Sequence, residues 1–129
     1  MDTVGDFLTR IRNASMARHE KVDIPSSKLR AGIASVLKDE GYIRHFKVVR
    51  DSKQGMMRLY LKYNAKGSPI ISDIRRSSRP GRRYYVHKTD IPKVRSGFGL
   101  SIISTSKGIM SGAAAEQGNL GGEVLCTIW

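Results

Sequence analysis

Apolar positions in the first sixty residues recur at helical spacing, alternate, and then repeat both patterns. Val4, Phe7, Leu8, Ile11 and Ala14 share one face of a helix that opens at Thr3 and ends near His19. Thr3 with Asp6 has the Thr-x-x-Asp form of a capping box, which assigns Asp6 to capping. Val22-Asp23-Ile24 alternates as a short strand. Pro25-Ser26-Ser27 then supplies the start of a second helix, with Leu29, Ile33, Val36 and Leu37 as its buried stripe and Gly41 as its left-handed stop. Two strand-like runs, Ile43 to Arg50 and Met56 to Tyr63, flank the turn Asp51 to Gly55. In the second run Met57, Leu59, Leu61 and Tyr63 fall on one face, Arg58 and Lys62 on the other. The order α-β-α-β-β predicts two helices packed on one face of a small sheet.

Asn64 to Pro69 has no periodicity and marks a boundary. Beyond it the pattern predicts short strands and frequent turns. These are a strand from Ile70 to Arg75, a turn at Ser78-Arg79-Pro80-Gly81, a strand from Tyr84 to Lys88 and a helical turn near Thr89 to Val94. A strand from Leu100 to Thr105, a tight turn Ser106-Lys107-Gly108, Ile109-Met110, an Ala-rich turn from Gly112 to Glu116 and a last strand from Glu123 complete the chain. The expected fold is α+β in two small lobes: an α/β lobe over 1–64, a linker at 65–69 and a mostly β lobe with short helical turns over 70–129.

Charge changes this picture from architecture to function. The 129 residues carry 23 Lys and Arg against 11 Asp and Glu, a formal charge of +12. Residues 41–110 hold 16 of the basic and 3 of the acidic side chains, so the middle of the chain owns the excess. Such a concentrated positive field selects a polyanion, nucleic acid before an anionic membrane surface. The length excludes a large multidomain enzyme. The single Cys126 cannot close an internal disulfide and sits in the apolar run Val124 to Trp129, as expected of a small buried side chain in a reducing compartment. No apolar stretch approaches the ~20 residues of a membrane span, and Asp2 and Asp6 stand where a signal peptide needs positive charge; a cytoplasmic protein without membrane attachment is expected.

Five arginines fall within residues 75–83, with no acid among them, followed by Tyr84, Tyr85, His87 and Lys88. Arginine forks match phosphate oxygens, and a tyrosine can stack on an unpaired base. A solvated hairpin would leave these cations to repel one another, so an anion-binding surface is the better reading. Ser104-Thr105-Ser106-Lys107-Gly108 gathers three hydroxyls, a cation and a glycine at a turn. It suits a phosphate, a 2′-hydroxyl or a base edge, and an ordinary hairpin turn equally well. Ser104 and Lys107 also spell Ser-x-x-Lys, but the partner motifs of an acyl-enzyme are missing and Ser104 ends a strand. His19, His45 and His87 are scattered, no carboxylates pair as acid and base, and Gly97-x-Gly99 lacks the rest of a dinucleotide loop. No metal, cofactor or catalytic residue is expected.

The words Phe7-Leu8-Thr9-Arg10-Ile11-Arg12-Asn13-Ala14, Pro25-Ser26-Ser27-Lys28-Leu29, Leu37-Lys38-Asp39-Glu40-Gly41-Tyr42-Ile43, Arg79-Pro80-Gly81-Arg82-Arg83, Ile103-Ser104-Thr105-Ser106-Lys107-Gly108-Ile109-Met110 and Gly121-Gly122-Glu123-Val124-Leu125-Cys126 occur in this order. With them the chain resembles the bacterial ribosomal protein eight family of the small (30S) subunit, from about residue 2 to residue 129. The resemblance implies a structural constituent of that subunit, a primary binder of the 16S rRNA central domain that helps assemble the subunit platform. It implies an rRNA-binding site of Ser104, Thr105, Ser106, Lys107 and Gly108, with Arg82, Arg83, Tyr85 and Lys88 beside it. Ser27, Lys28, Arg30 and Thr3 would reach a neighbouring stem. Glu123 matches a family glutamate near the RNA, read here as orienting the turn. The segment Ser111 to Leu120 is less charged than in the family, and no site residue is assigned to Gly112 through Asn119. The resemblance further implies contact with ribosomal protein five of the small subunit, a monomer outside the ribosome and, in some members, repression of their own operon messenger RNA. The rival reading is a general nucleic-acid-binding architectural protein, which would dimerise or present a helix or ribbon to a DNA groove.

Overall fold

The computed structural model describes residues 3–49 and 55–129. The expected turn at Asp51–Gln54, the last strand residue Arg50 and the N-terminal Asp2 lie outside the described residues.

Helix α1 (Thr3–Met16) buries Val4, Phe7, Leu8, Ile11 and Ala14, the stripe set by its spacing. It ends three residues before His19, because Arg18 turns left-handed (φ +61°) and the N–H groups of Arg18 and His19 return to the Ser15 and Ala14 carbonyls. Thr3 already lies within the helix, which corrects the capping assignment. The Asp6 carboxylate faces Arg10 at 3.2 Å and Arg30 at 3.4 Å. Strand β1 (Lys21–Pro25) leads to α2 (Lys28–Asp39), where the Ser27 hydroxyl accepts the Arg30 N–H as N-cap. Gly41, at φ +82°, closes α2 as predicted, with Tyr42 N–H on the Leu37 carbonyl at 2.8 Å.

Strands β2 (Ile43–Val49) and β3 (Met56–Leu61) pair antiparallel, and β1 joins the other edge of β3. Met57, Leu59 and Leu61 are buried beneath the helices, whereas Arg58 and Tyr60 alternate to the opposite face.

In the second half, β4 covers Ile74–Arg76, later than the Ile70 start expected. The Ile70 N–H is spent on the Lys62 carbonyl, away from β8, and pairing with β8 begins only where Asp73 and Trp129 exchange backbone hydrogen bonds, one step before the Ile74–Ile128 pair. The Tyr84–Lys88 strand contracts to β5 (Tyr85–Val86). The helical turn lies at Val94–Gly97 as a 3-10 turn, because Pro92 has no N–H and disfavours helical backbone at Ile91. Strand β6 (Leu100–Thr105) matches its prediction; β7 (Gly108–Ser111), the short helix α3 (Gly112–Gln117) and β8 (Gly122–Ile128) follow.

The second sheet runs β4-β8-β6-β7, with β5 on the same edge of β8 as β4. One hydrophobic cluster passes from Phe7, Ile11, Ile33 and Leu59 into Ile74, Ile102, Cys126 and Ile128, so the two lobes of this α+β fold share a core. Helix α2 packs on β7, where Gly32 lets the Ile109 side chain approach: a Cβ there would sit 2.8 Å from Ile109 Cδ1. The register of β6 against β8 shifts between Ile102 and Ile103. Ile102 and Ile103 alternate to opposite faces, Ile102 into the shared core, and the extra residue Leu125 on β8 sets Val124 opposite Ile103, where both pack with Ala115 of α3.

Candidate nucleic-acid interface

Four strands place one residue each in a row across the second sheet. Ile109 on β7 lies opposite Ser104 on β6, Ser104 opposite Glu123 on β8, and Glu123 opposite Tyr85 on β5. Residues directly opposite in a ladder share a face. The row begins under α2 at Ile109 and ends at Tyr85, which is 67% exposed. Ser104, Glu123 and Tyr85, distant in sequence, are thus brought together.

At the outer edge of β8 the chain leaves the sheet after β4, makes the arginine loop and returns as β5. The loop is a four-residue turn closed at both ends, Arg79 N–H on the Arg82 carbonyl at 3.0 Å and Arg82 N–H on that of Arg79 at 2.9 Å. Ser78, wholly buried, ties its base: its N–H donates to the Val124 carbonyl, its hydroxyl donates to Glu123 Oε2, and its oxygen accepts the Tyr84 N–H at 3.1 Å. Arg83 Nη1 reaches the same Glu123 oxygen at 3.1 Å. The carboxylate thus fixes the loop to β8 at the position that lies opposite Ser104 of β6. Arg76, Ser77, Arg79, Arg82, Arg83 and Tyr84 line a cavity of about 540 Å³. A cavity walled by guanidinium groups is an anion's environment.

At the neighbouring turn, Thr105 Oγ1 donates to the Gly108 carbonyl at 2.8 Å and accepts the Lys107 N–H at 3.1 Å. Its hydroxyl is therefore occupied in shaping the turn, while Ser106 and Lys107 project into solvent. Gly108 has φ +115°, which a side chain would rarely adopt.

Gly121 and Gly122 entered the sequence reading only as part of a family word and were given no role in the site. A Cβ on Gly122 would lie 2.2 Å from the Ser104 carbonyl oxygen, and one on Gly121 2.5 Å from that of Val86. These glycines let β8 approach the strands on both sides, and a Gly-Gly pair at a strand start was the available signal.

The model of the family described as ribosomal protein S8 matches residues 2–129. The chain belongs to the ribosomal protein S8 family. It is 64% identical to small ribosomal subunit protein uS8 of Bdellovibrio bacteriovorus, with the whole of both chains covered. It is 53% identical to the uS8 of Geobacter sulfurreducens and 52% to that of Geotalea uraniireducens, each over 99% of this chain and 97% of the relative. An S8-family chain is a structural constituent of the small ribosomal subunit, working on the cytoplasmic ribosome and not as an enzyme.

The remaining S8 positions of interest lie in the first lobe. Ser27 and Lys28 are exposed at the start of α2. Arg30 is only 7% exposed: its Nη1 donates to the Pro25 carbonyl at 2.8 Å, and its Nε and Nη2 to that of Thr3 at 3.3 and 3.1 Å. It locks the start of α1 to the end of β1. Lys88 is exposed just beyond β5. Among the described residues no helix is long and apolar enough to cross a membrane, and no three His, Cys, Asp or Glu side chains cluster as metal ligands.

Proposed function

We propose that this chain is a primary rRNA-binding protein that engages the central domain of 16S rRNA and helps assemble the platform of the small subunit. The observation that carries this reading is the cross-strand row, which sets the arginine loop and the Ser104–Gly108 turn on two sides of Glu123. Arg79, Arg82, Arg83 and Lys88 capture the RNA by releasing its counterions. Ser106, Lys107 and the backbone of Gly108 read an irregular feature of the stem, because the A-form major groove is too narrow to admit side chains. Tyr85 supplies an exposed ring for an unpaired base. Glu123 and Thr105 orient the two parts without spending themselves on RNA. In the first lobe Ser27 and Lys28 reach a second stem, and Arg30 acts as a positioning residue that holds Thr3 beside them.

Contact with ribosomal protein five and repression of the chain's own operon messenger RNA belong to this reading and rest on the family resemblance. Gel-shift competition tests the core of it. At fixed salt, a 16S central-domain fragment should displace the bound probe far better than an unrelated RNA duplex or duplex DNA. Equal competition by all three would favour the architectural nucleic-acid binder instead.

A further inference from the structure

The first sheet has a face turned away from both helices. On it the register sets two rows across three strands, Lys21, Tyr60 and His45 in one and Asp23, Arg58 and Lys47 in the next. A bulge at Arg44 makes the first row possible, because the extra residue turns His45 onto the side of Tyr60. The two rings stack, 6.0 Å between centroids and 23° between planes. Lys21, His45 and Lys47 are exposed and Tyr60 is half-buried. Asp23 is the one carboxylate of the two rows and is spent on Arg58, which reaches it through Nε at 2.7 Å and Nη2 at 3.1 Å. Among the described residues no carboxylate pairs with Lys21 or Lys47, so the face keeps an excess of positive charge. The Tyr60 hydroxyl registers that excess. Desolvation alone would raise its pKa, yet the hydrogen bond from Lys47 and the charges of Lys47 and Arg58 hold it below its ordinary value.

We propose that this face is a stacking platform for a short unpaired run of the 16S rRNA, with bases on Tyr60 and His45 and phosphates on Lys47, Arg58 and Lys21. The inference rests on the reading of the chain as an rRNA binder, and adds a contact that shares no residue with the arginine loop or the Ser104–Gly108 turn. An open sheet that interleaves aromatic rings with cations suits single-stranded RNA, since every base has a π-face and the backbone finds its counter-charges alongside. A duplex fits it poorly, because its bases are already stacked on one another. Asp23 does not oppose the phosphates. It stands to Arg58 as Glu123 stands to Arg83, fixing one guanidinium while the row stays net positive. The platform also continues from the first-lobe contact. Ser26 N–H donates to the Gly55 carbonyl at 3.1 Å, which puts Ser27 and Lys28 beside the start of β3. From there the outer face runs through Met56 and Arg58 to Tyr60, about 14 Å along the strand. An RNA strand leaving the stem at Ser27 and Lys28 thus meets the cations of the second row and then the rings of the first.

The test uses the full chain assembled into small subunits from purified rRNA and purified subunit proteins. A benzophenone amino acid replaces Val49, which is exposed on the same face two residues beyond Lys47, or, as a separate control, Ser106. Irradiation should link position 49 to the rRNA at an unpaired nucleotide, located by the stop of reverse transcription. A protein product at position 49, a nucleotide within a duplex, or no product there overturns the platform, whatever position 106 does. No product at 106 with an unpaired nucleotide captured at 49 supports the platform and counts against the turn alone. In parallel, Tyr60→Ala should weaken binding of an oligoadenylate of about eight nucleotides roughly tenfold, and Tyr60→Phe, which keeps the ring, by no more than about twofold. Neither should change affinity for an RNA duplex by more than about twofold. Undiminished affinity in Tyr60→Ala, an equal loss in both variants, or an equal loss for the duplex overturns the stacking role.

Discussion

Arg83 and Glu123 are joined by an ion pair of 3.1 Å that fastens the arginine loop to the strand facing Ser104. Of the arginines in this basic segment, Arg83 is therefore partly neutralised at home, and Glu123 also accepts from the buried Ser78 hydroxyl. Glu123→Ala should strand that hydroxyl and cost about 1–3 kcal/mol of stability in urea denaturation. Glu123→Gln keeps an acceptor and should recover most of the loss. If both variants are as stable as the parent, Glu123 does not hold the loop.

Arg82 and Arg83 should differ in their response to charge removal. Arg82→Ala should weaken binding to cognate and unrelated RNA by similar factors and reduce the slope of log K against log salt by about 1. Arg83→Ala exposes the Glu123 carboxylate to the bound phosphates as well, so its loss of affinity should exceed that of Arg82→Ala. Filter binding over a salt series measures both.

Substitutions in the Ser104–Gly108 turn should separate contact from shape. Ser106→Ala removes an exposed hydroxyl and should cost on the order of 1–2 kcal/mol for the 16S fragment, with little effect on an unrelated duplex or on thermal stability. Thr105→Ala removes the two hydrogen bonds that fold the turn, and should lower both melting temperature and cognate affinity.

Arg30→Ala should destabilise the fold by about 2–4 kcal/mol, since the Thr3 and Pro25 carbonyls lose their donors and a buried stem leaves the core. The salt slope of RNA binding should stay unchanged. Lys28→Ala should do the reverse, lowering the slope by about 1 while leaving the urea midpoint in place.

Burial pushes the Cys126 thiol up to about 12 from its ordinary value of 9.0. The folded state thus keeps its proton where the unfolded chain gives it up. The stabilising effect is complete below pH 9 and is lost as pH rises from about 9 toward about 12. Cys126→Ala should flatten the alkaline fall of stability in that window. A thiol reagent at pH 8 should modify the native protein only at its rate of opening.

The first lobe was legible because its signals are local. Helical spacing fixed the faces of Phe7, Ile11, Ile33 and Leu37, Ser27 and Gly41 marked the ends of α2, and alternation set the inner face of Met57, Leu59 and Leu61. The second lobe was less so. Its strands are short and depend on partners: β4 starts late because Ile70 is drawn to the Lys62 carbonyl, and β5 keeps two residues because only Tyr85 and Val86 form ladder pairs with β8, Tyr84 giving just its carbonyl to the Val124 N–H. The candidate site was named by composition and by the family words, but its construction was not. Nothing local says that Ser78 is buried under Glu123, that Arg30 is an internal clamp or that His45 stacks beside Tyr60.

By itself the sequence determined the fold class, the charge that selects a polyanion and the family. Those properties are carried by side-chain periodicity, by a sum of charges and by contiguous words, none of which needs distant residues to meet. Only the tertiary structure decided which groups act together. Backbone pairing in the second sheet sets Ser104, Glu123 and Tyr85 in one row, and the closeness of β8 to its neighbours depends on two glycines that admit no Cβ. Hydrogen-bond register is a property of two strands at once, so no single segment contains it.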